Sequence, residues 1–140
     1  MNQVILASHG QLSAGAKDSV GMIVGNLPNV HSIVLLRDDK RSVAKEAEDL
    51  IANFDMDDDV YILTDMLGSS VNNSMSELLL KYPNLIVISG MNLPLILEIS
   101  MNGEKLTGVE INRLIEQSRL GIQNVRELLQ QDIEEDGDLL

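Results

Sequence analysis

A chain of 140 residues can enclose one hydrophobic core, and it is too short for a domain with large insertions. Its 22 Asp and Glu against 10 Lys and Arg give a formal charge of −12, which argues against nucleic acid or an anionic membrane as partner, since both are bound through basic groups. Cysteine is absent, so disulfides, thiolate metal sites and a cysteine nucleophile are excluded together, and three aromatic residues, Phe54, Tyr61 and Tyr82, cannot build a base-stacking platform.

In chain order, an apolar run from Val4 to Ala7 predicts a first strand. Leu12, Ala16, Val20, Ile23, Val24 and Leu27 then recur at helical spacing. Val30 to Leu36 predicts the second strand, and Val43, Ala47, Leu50, Ile51 and Phe54 the second helix. Val60 to Leu63 predicts the third strand, followed by a helix carrying Val71, Met75, Leu78 and Leu79. Leu85 to Ile88 predicts the fourth strand, and a fourth helix begins around Pro94, whose fixed φ suits a first helical turn. A fifth helix runs from about Gly108 to Leu120, with Ile111, Leu114 and Ile115 on one face. After Gly121, the segment Ile122 to Leu129 suits either more helix or a short strand. Residues 132–138 carry five acids and no base, so positions 131–140 read as an acidic, disordered tail behind a domain spanning 1–130.

Uninterrupted apolar strands alternating with amphipathic helices define an α/β class: a doubly wound, mainly parallel four-stranded sheet with helices on both faces. No apolar run approaches the ~20 residues needed to span a bilayer, and Met1-Asn2-Gln3 does not open a signal peptide, so a cytoplasmic location is expected. The methionines fall mostly on apolar stripes or strand ends and read as core filler, with Met66 and Met91 placed to line the mouth of a site.

In doubly wound sheets ligands bind beyond the carboxyl ends of the strands, where the winding direction reverses. Here those ends carry Ser8, His9 and Gly10; Arg37, Asp38 and Asp39; Thr64 to Ser70; and Ser89 to Pro94. His9 and Asp65 stand after strands one and three, which are commonly neighbours, so an imidazole and a carboxylate can meet across the crevice. A carboxylate that accepts from one ring nitrogen fixes the tautomer and leaves the other nitrogen free as a base or nucleophile. Gly10 permits close backbone approach, and Gly68, Ser69 and Ser70 supply N–H groups and hydroxyls where the third helix begins, an arrangement suited both to helix capping and to an anion. No Lys or Arg accompanies His9 or the loop after Asp65, and no second His stands at metal-ligand spacing, so neither a permanent phosphate clamp nor a zinc site is supported. His31, at the start of the second strand, faces the opposite end of the sheet and suits a structural role.

Other phosphoryl-handling folds fit these strand ends poorly. A receiver domain needs paired acids after its first strand, a histidine phosphatase needs Arg before its His, and neither a Walker A loop nor a Gly-x-Gly-x-x-Gly turn is present. A flavodoxin needs a Ser/Thr-rich phosphate loop after strand one and aromatic residues around its flavin.

The run Ile5-Leu6-Ala7-Ser8-His9-Gly10-Gln11-Leu12-Ser13-Ala14-Gly15 resembles the start of the IIA components of the mannose-class (mannose, fructose, sorbose) sugar phosphotransferase system. Thr64-Asp65-Met66-Leu67-Gly68-Ser69-Ser70-Val71-Asn72-Asn73 and Ser89-Gly90-Met91-Asn92-Leu93-Pro94 resemble that family's second and third motifs. Departures are Ser69 in place of the second Gly of the loop, Val71 in place of Pro, and Leu67 where an aromatic residue is common.

The resemblance implies a phosphotransferase component in which His9 takes a phosphoryl group from the phosphocarrier HPr and passes it to a IIB protein or domain, coupled to IIC and IID membrane subunits. Asp65 would orient the imidazole, Gly10, Gly68, Ser69 and Ser70 would surround the phosphoryl group, and no metal or organic cofactor is implied. It also implies a homodimer exchanging a short antiparallel strand, which would fall at Ile122 to Arg126. Two alternatives share the fold: the phosphotransfer subunit of dihydroxyacetone kinase, and a non-catalytic regulatory module in which His9 is dispensable.

Overall fold

Alternate side chains of the first strand, β1 (Asn2–His9), enter two separate cores: Val4 and Leu6 one, Ile5 and Ala7 the other. β3 (Asp59–Thr64) divides in the same way, with Tyr61 and Leu63 on one face and Val60 and Ile62 on the opposite one. This two-residue period explains why the apolar runs are continuous, since a strand covered on both faces has no outward position for polar residues.

The protein is seen in a computed structural model that describes residues 1–136. Its sheet has the order β2-β1-β3-β4, adding β2 (Val30–Leu35) and β4 (Ile86–Ser89), and every neighbouring pair is parallel. One face is covered by α1 (Leu12–Val24), α4 (Leu93–Ser100) and α5 (Gly108–Arg119), which contribute Val20, Leu95, Ile96, Ile99 and Leu114. The other face is covered by α2 (Val43–Ile51) and α3 (Ser70–Glu77), with a 3₁₀ turn at Leu78–Leu80; Val43, Ala47, Val71, Met75 and Leu78 fill that core. Chain winding runs outward in one direction from β1 to β2 and in the other from β3 to β4. The crevice where it reverses lies between the carboxyl ends of β1 and β3.

Helix starts are set by local chemistry. Ser42, Ser69 and Asn92 each accept a backbone N–H at the start of α2, α3 and α4, and Thr107 with Glu110 forms a capping box on α5. Pro94 lies within the first turn of α4, as expected. Gln11, before α1, makes no side-chain cap; the Ser8 hydroxyl accepts the Ser13 N–H at 2.8 Å in its place.

Two expectations are corrected, and the segment after Gly121 takes the helical of its two readings in the single chain: 122–124 have no regular structure and α6 (Val125–Asp136) begins at Val125. The spacing of Val125, Leu128, Leu129 and Ile133 fits a helical face, and the intervening Glu and Gln residues favour helix. The same helix absorbs residues 131–136 of the expected disordered tail, while 137–140 lie outside the described residues. Methionines are not mainly core filler either: Met75 is buried, but Met22, Met56, Met66 and Met101 are exposed. Leu12 and Ile23, on the first predicted stripe, are also exposed, so α1 buries a narrower face than its apolar content suggests.

At the amino-terminal end of the sheet, the buried Asn29 amide donates to the carbonyls of Asn2 at 2.7 Å and Ser100 at 2.9 Å, tying β1 to the end of α4. Asn29→Ala strands both carbonyls away from water, so its unfolding free energy in urea is expected to fall by about 2–4 kcal/mol, with phosphoryl chemistry at the far end of the sheet unaffected. A loss under about 0.5 kcal/mol contradicts this role for the clamp.

Candidate functional site

His9 is the last residue of β1, and Asp65 follows the last residue of β3. The register pairs Ala7 with Thr64, which puts Asp65 level with Ser8 and His9 one residue beyond, so both side chains stand at the winding reversal. Asp65 Oδ2 accepts two hydrogen bonds from one residue: the His9 backbone N–H at 2.9 Å and ring Nδ1 at 2.8 Å. An ionised carboxylate has no proton to give, so Nδ1 carries the hydrogen and the neutral ring keeps its lone pair on Nε2. Nε2 lies 2.9 Å from Ser70 Oγ, whose hydroxyl proton it accepts. The His9 side chain is 50% exposed while that of Asp65 is 10% exposed, so the ring is open to solvent and its support is covered.

The carboxylate is saturated. Its other oxygen, Oδ1, accepts from the Met66 N–H and the Ser69 hydroxyl, both at 2.8 Å. Burial pushes the Asp65 carboxyl up, but the hydrogen bonds from the His9 backbone and ring, Ser69 and Met66 together outweigh it and hold the group below its ordinary value. Asp65 is therefore ionised throughout the neutral range.

The glycines serve backbone conformation. Gly10 adopts φ +58 and Gly68 φ +82, in the left-handed region that side chains disfavour, and nothing lies within 4 Å of where a Cβ would stand on either. Gly10 also meets a turn requirement, and its N–H is donated to the Leu35 carbonyl at 2.8 Å. Ser69 caps α3 through the Asn72 N–H and gives its hydroxyl proton to Asp65. Ser70 occupies the first position of α3, next to His9 Nε2.

Several supporting residues carried no assigned role in the sequence. Ser13, buried, donates to the Ile33 carbonyl at 2.7 Å while its N–H meets Ser8, fixing the turn that presents His9. The Thr64 hydroxyl donates to Asn72 Oδ1 at 2.7 Å, joining the end of β3 to α3 beneath the site. Buried hydroxyls and an amide beside apolar strand ends were the available signal, because such groups must find partners.

In the segments that follow the carboxyl ends of β1, β2 and β3, Leu12, Leu36, Met66 and Leu67 are exposed, whereas Met91, after β4, packs partly buried against the core. On the β2 side, Arg41 is held by Asp39 and the Val34 carbonyl, and it also pairs with Glu46. His31 lies at the other end of the sheet, as expected, with Nε2 3.0 Å from Gln3 Oε1 and its ring 5.0 Å from that of Phe54. Burial, and then the Lys17 charge, lower its pKa. Among the described residues no helix is long and apolar enough to cross a membrane.

Comparison with known proteins gives one consistent answer. Residues 3–116 match the family EIIA-man, described as the PTS system fructose IIA component. The PTS system sorbose-specific EIIA component of Klebsiella pneumoniae is 30% identical over 112 residues, covering 79% of this chain and 82% of that protein. Its counterpart from Lacticaseibacillus casei is 27% identical over 107 residues, 75% and 76% of the two chains. A crystal structure from Klebsiella pneumoniae, described as a candidate permease of the phosphoenolpyruvate-dependent sugar phosphotransferase system, is 31% identical, with a TM-score of 0.78 and coverage of 91% and 93%. The mannose/sorbose specific IIA subunit from Enterococcus faecalis, 22% identical with a TM-score of 0.75 over 88% and 93%, shares the fold. The chain belongs to the EIIA-man family and is a mannose-class IIA component of the sugar phosphotransferase system.

Proposed function

We propose that His9 is the phosphoryl acceptor of this component, loaded by phospho-HPr and unloaded to a IIB protein or domain in the cytoplasm. The observation that carries this reading is the division of labour on one ring: Nδ1 is committed to a saturated carboxylate, and Nε2, on a half-exposed side chain, has its lone pair held by a hydroxyl that can move to a phosphoryl oxygen. In the transfer, Nε2 attacks phosphorus in line as the N–P bond of the donor phosphohistidine breaks, and the donor nitrogen keeps the electron pair. No proton needs to move on His9. The phosphorylated ring, bonded at Nε2 and still protonated at Nδ1, is cationic, and the Asp65 charge lies 2.8 Å away to stabilise it.

Ser70 has a second use in this scheme, because its hydroxyl, released from Nε2, can donate to the new phosphoryl group at the amino-terminal end of α3. Gly68 shapes the loop that delivers it. The absence of Lys and Arg from the His9 and Asp65 loops suits a relay, since a site that must also release its phosphoryl group gains nothing by binding it tightly in the ground state. Exposed Leu12, Leu36, Met66 and Leu67 provide apolar area against which a carrier can exclude water during transfer. The phosphotransferase domain spans residues 1–130, and the acidic residues of 131–140 follow it. The same reading includes a homodimer that exchanges a short antiparallel strand at Ile122 to Arg126, a segment whose residues 122–124 have no regular structure in the single chain.

Incubating the chain with phosphoenolpyruvate, Enzyme I and HPr is expected to add a single, acid-labile phosphoryl group by intact mass. Absence of uptake by the folded wild-type chain, with HPr itself phosphorylated, contradicts the proposal.

A further inference from the structure

We propose that Ser69 is a positioning residue that raises the phosphoryl-transfer potential of phospho-His9 by drawing off part of the Asp65 charge. The proposal rests on His9 being the phosphoryl acceptor. Ser69 is only 7% exposed, and both functions of its hydroxyl are committed: the oxygen accepts the Asn72 N–H at 3.1 Å and the proton goes to Asp65 Oδ1 at 2.8 Å. A hydroxyl has one proton, so this serine has none left for a phosphoryl oxygen, and its influence on the reaction passes through Asp65.

Asp65 takes four donors: His9 N–H and Nδ1–H on Oδ2, Met66 N–H and the Ser69 hydroxyl on Oδ1. The first three belong to the backbone or to the nucleophile itself. Only the fourth depends on which side chain follows Gly68, so it is the one donor that a substitution there removes from the group facing the ring charge.

That charge changes during the reaction. When the Nε2–P bond forms and the donor N–P bond breaks, Nδ1 keeps its hydrogen and the ring becomes cationic against Oδ2. The phosphorylated state is stabilised in proportion to the negative charge remaining on the carboxylate. A charge-assisted bond at Oδ1 withdraws some of it, so phospho-His9 holds its phosphoryl group less firmly and gives it up more readily to the next acceptor.

The test compares Ser69→Gly and Ser69→Thr with wild type. Glycine is a tolerated cap, so the fold is expected to remain, and threonine keeps the hydroxyl. With purified HPr, Ser69→Gly is expected to shift the phosphoryl equilibrium toward the phosphorylated chain by about 3- to 10-fold, the span that the net contribution of one hydrogen bond covers, and to lengthen the lifetime of phospho-His9. In the unphosphorylated protein the His9 Nδ1–H proton resonance should move downfield as the Asp65–His9 bond strengthens. Ser69→Thr should restore wild-type behaviour in all three measurements. An unchanged or opposite equilibrium shift in folded Ser69→Gly, with the Nδ1–H resonance unmoved, overturns the role of Ser69 and leaves His9 as acceptor. No phosphoryl uptake by wild type overturns both.

Discussion

His9→Ala is expected to remain folded and to take up no phosphoryl group from phospho-HPr. The ring is half exposed and packs into neither core, so its loss removes two hydrogen bonds at the surface. Asp65 keeps three donors, including the backbone N–H of residue 9. Stability should change by no more than about 1 kcal/mol. Transfer, by contrast, loses its nucleophile entirely. His31 is the only other histidine, and it lies at the opposite end of the sheet, engaged with Gln3 and Phe54. A His31→Ala chain should therefore be labelled like wild type. Undiminished labelling of His9→Ala would move the site elsewhere and favour a module in which His9 is dispensable.

Asp65→Asn is expected to slow transfer by about 10²- to 10⁴-fold, the span of positioned proton-handling groups, whose upper end is reached where an Asp holds a catalytic histidine in one tautomer. The reason is a mismatch of donors. A carboxylate accepts at both oxygens, whereas an amide accepts at one and donates at the other. With the amide oxygen toward His9, its NH₂ confronts the Met66 N–H and the Ser69 hydroxyl; with the amide reversed, it confronts the His9 N–H and Nδ1–H. Either orientation also removes the charge that stabilises the phosphorylated ring. Single-turnover transfer from phospho-HPr measures this, and a rate within about threefold of wild type contradicts the assigned role.

The same substitution has a signature in pH. Asp65 is held below its ordinary value in the folded protein, so its contribution to stability is complete above the unfolded value near pH 3.9 and disappears as pH falls through the lower folded value. Asp65→Asn should be less stable than wild type at neutral pH and lose less on acidification below about pH 4.

How much of this was legible in the sequence follows from the physics of each feature. The sheet was, because four runs of apolar residues without polar alternation demand cover on both faces, and β1 and β3 supply it residue by residue. Their ends extended past the apolar runs, to Asn2 and His9 in β1, since the ladder hydrogen bonds continue where hydropathy no longer does. The meeting of His9 and Asp65 was legible from strand ends alone, given that β1 and β3 are neighbours. Ser8, Ser13 and the Thr64–Asn72 pair were not assigned roles, because their partners are backbone or distant side chains that only the packed structure brings within reach. The segment after Gly121 was ambiguous for a different reason. Its apolar residues fit more than one periodicity, and among the described residues α6 leaves Val125, Leu128, Leu129 and Ile133 exposed, so packing within one chain does not decide between them.

In the proposed mechanism phosphoryl enters at one atom, Nε2 of His9, because Asp65 occupies the other nitrogen. Phosphorus and nitrogen NMR of the chain labelled from phospho-HPr distinguishes the two ring positions directly. A single phosphohistidine at His9, bonded through Nε2 with Nδ1 still protonated, is the predicted result; a bond to Nδ1, or a phosphoryl group on Ser70 or on His31, contradicts it.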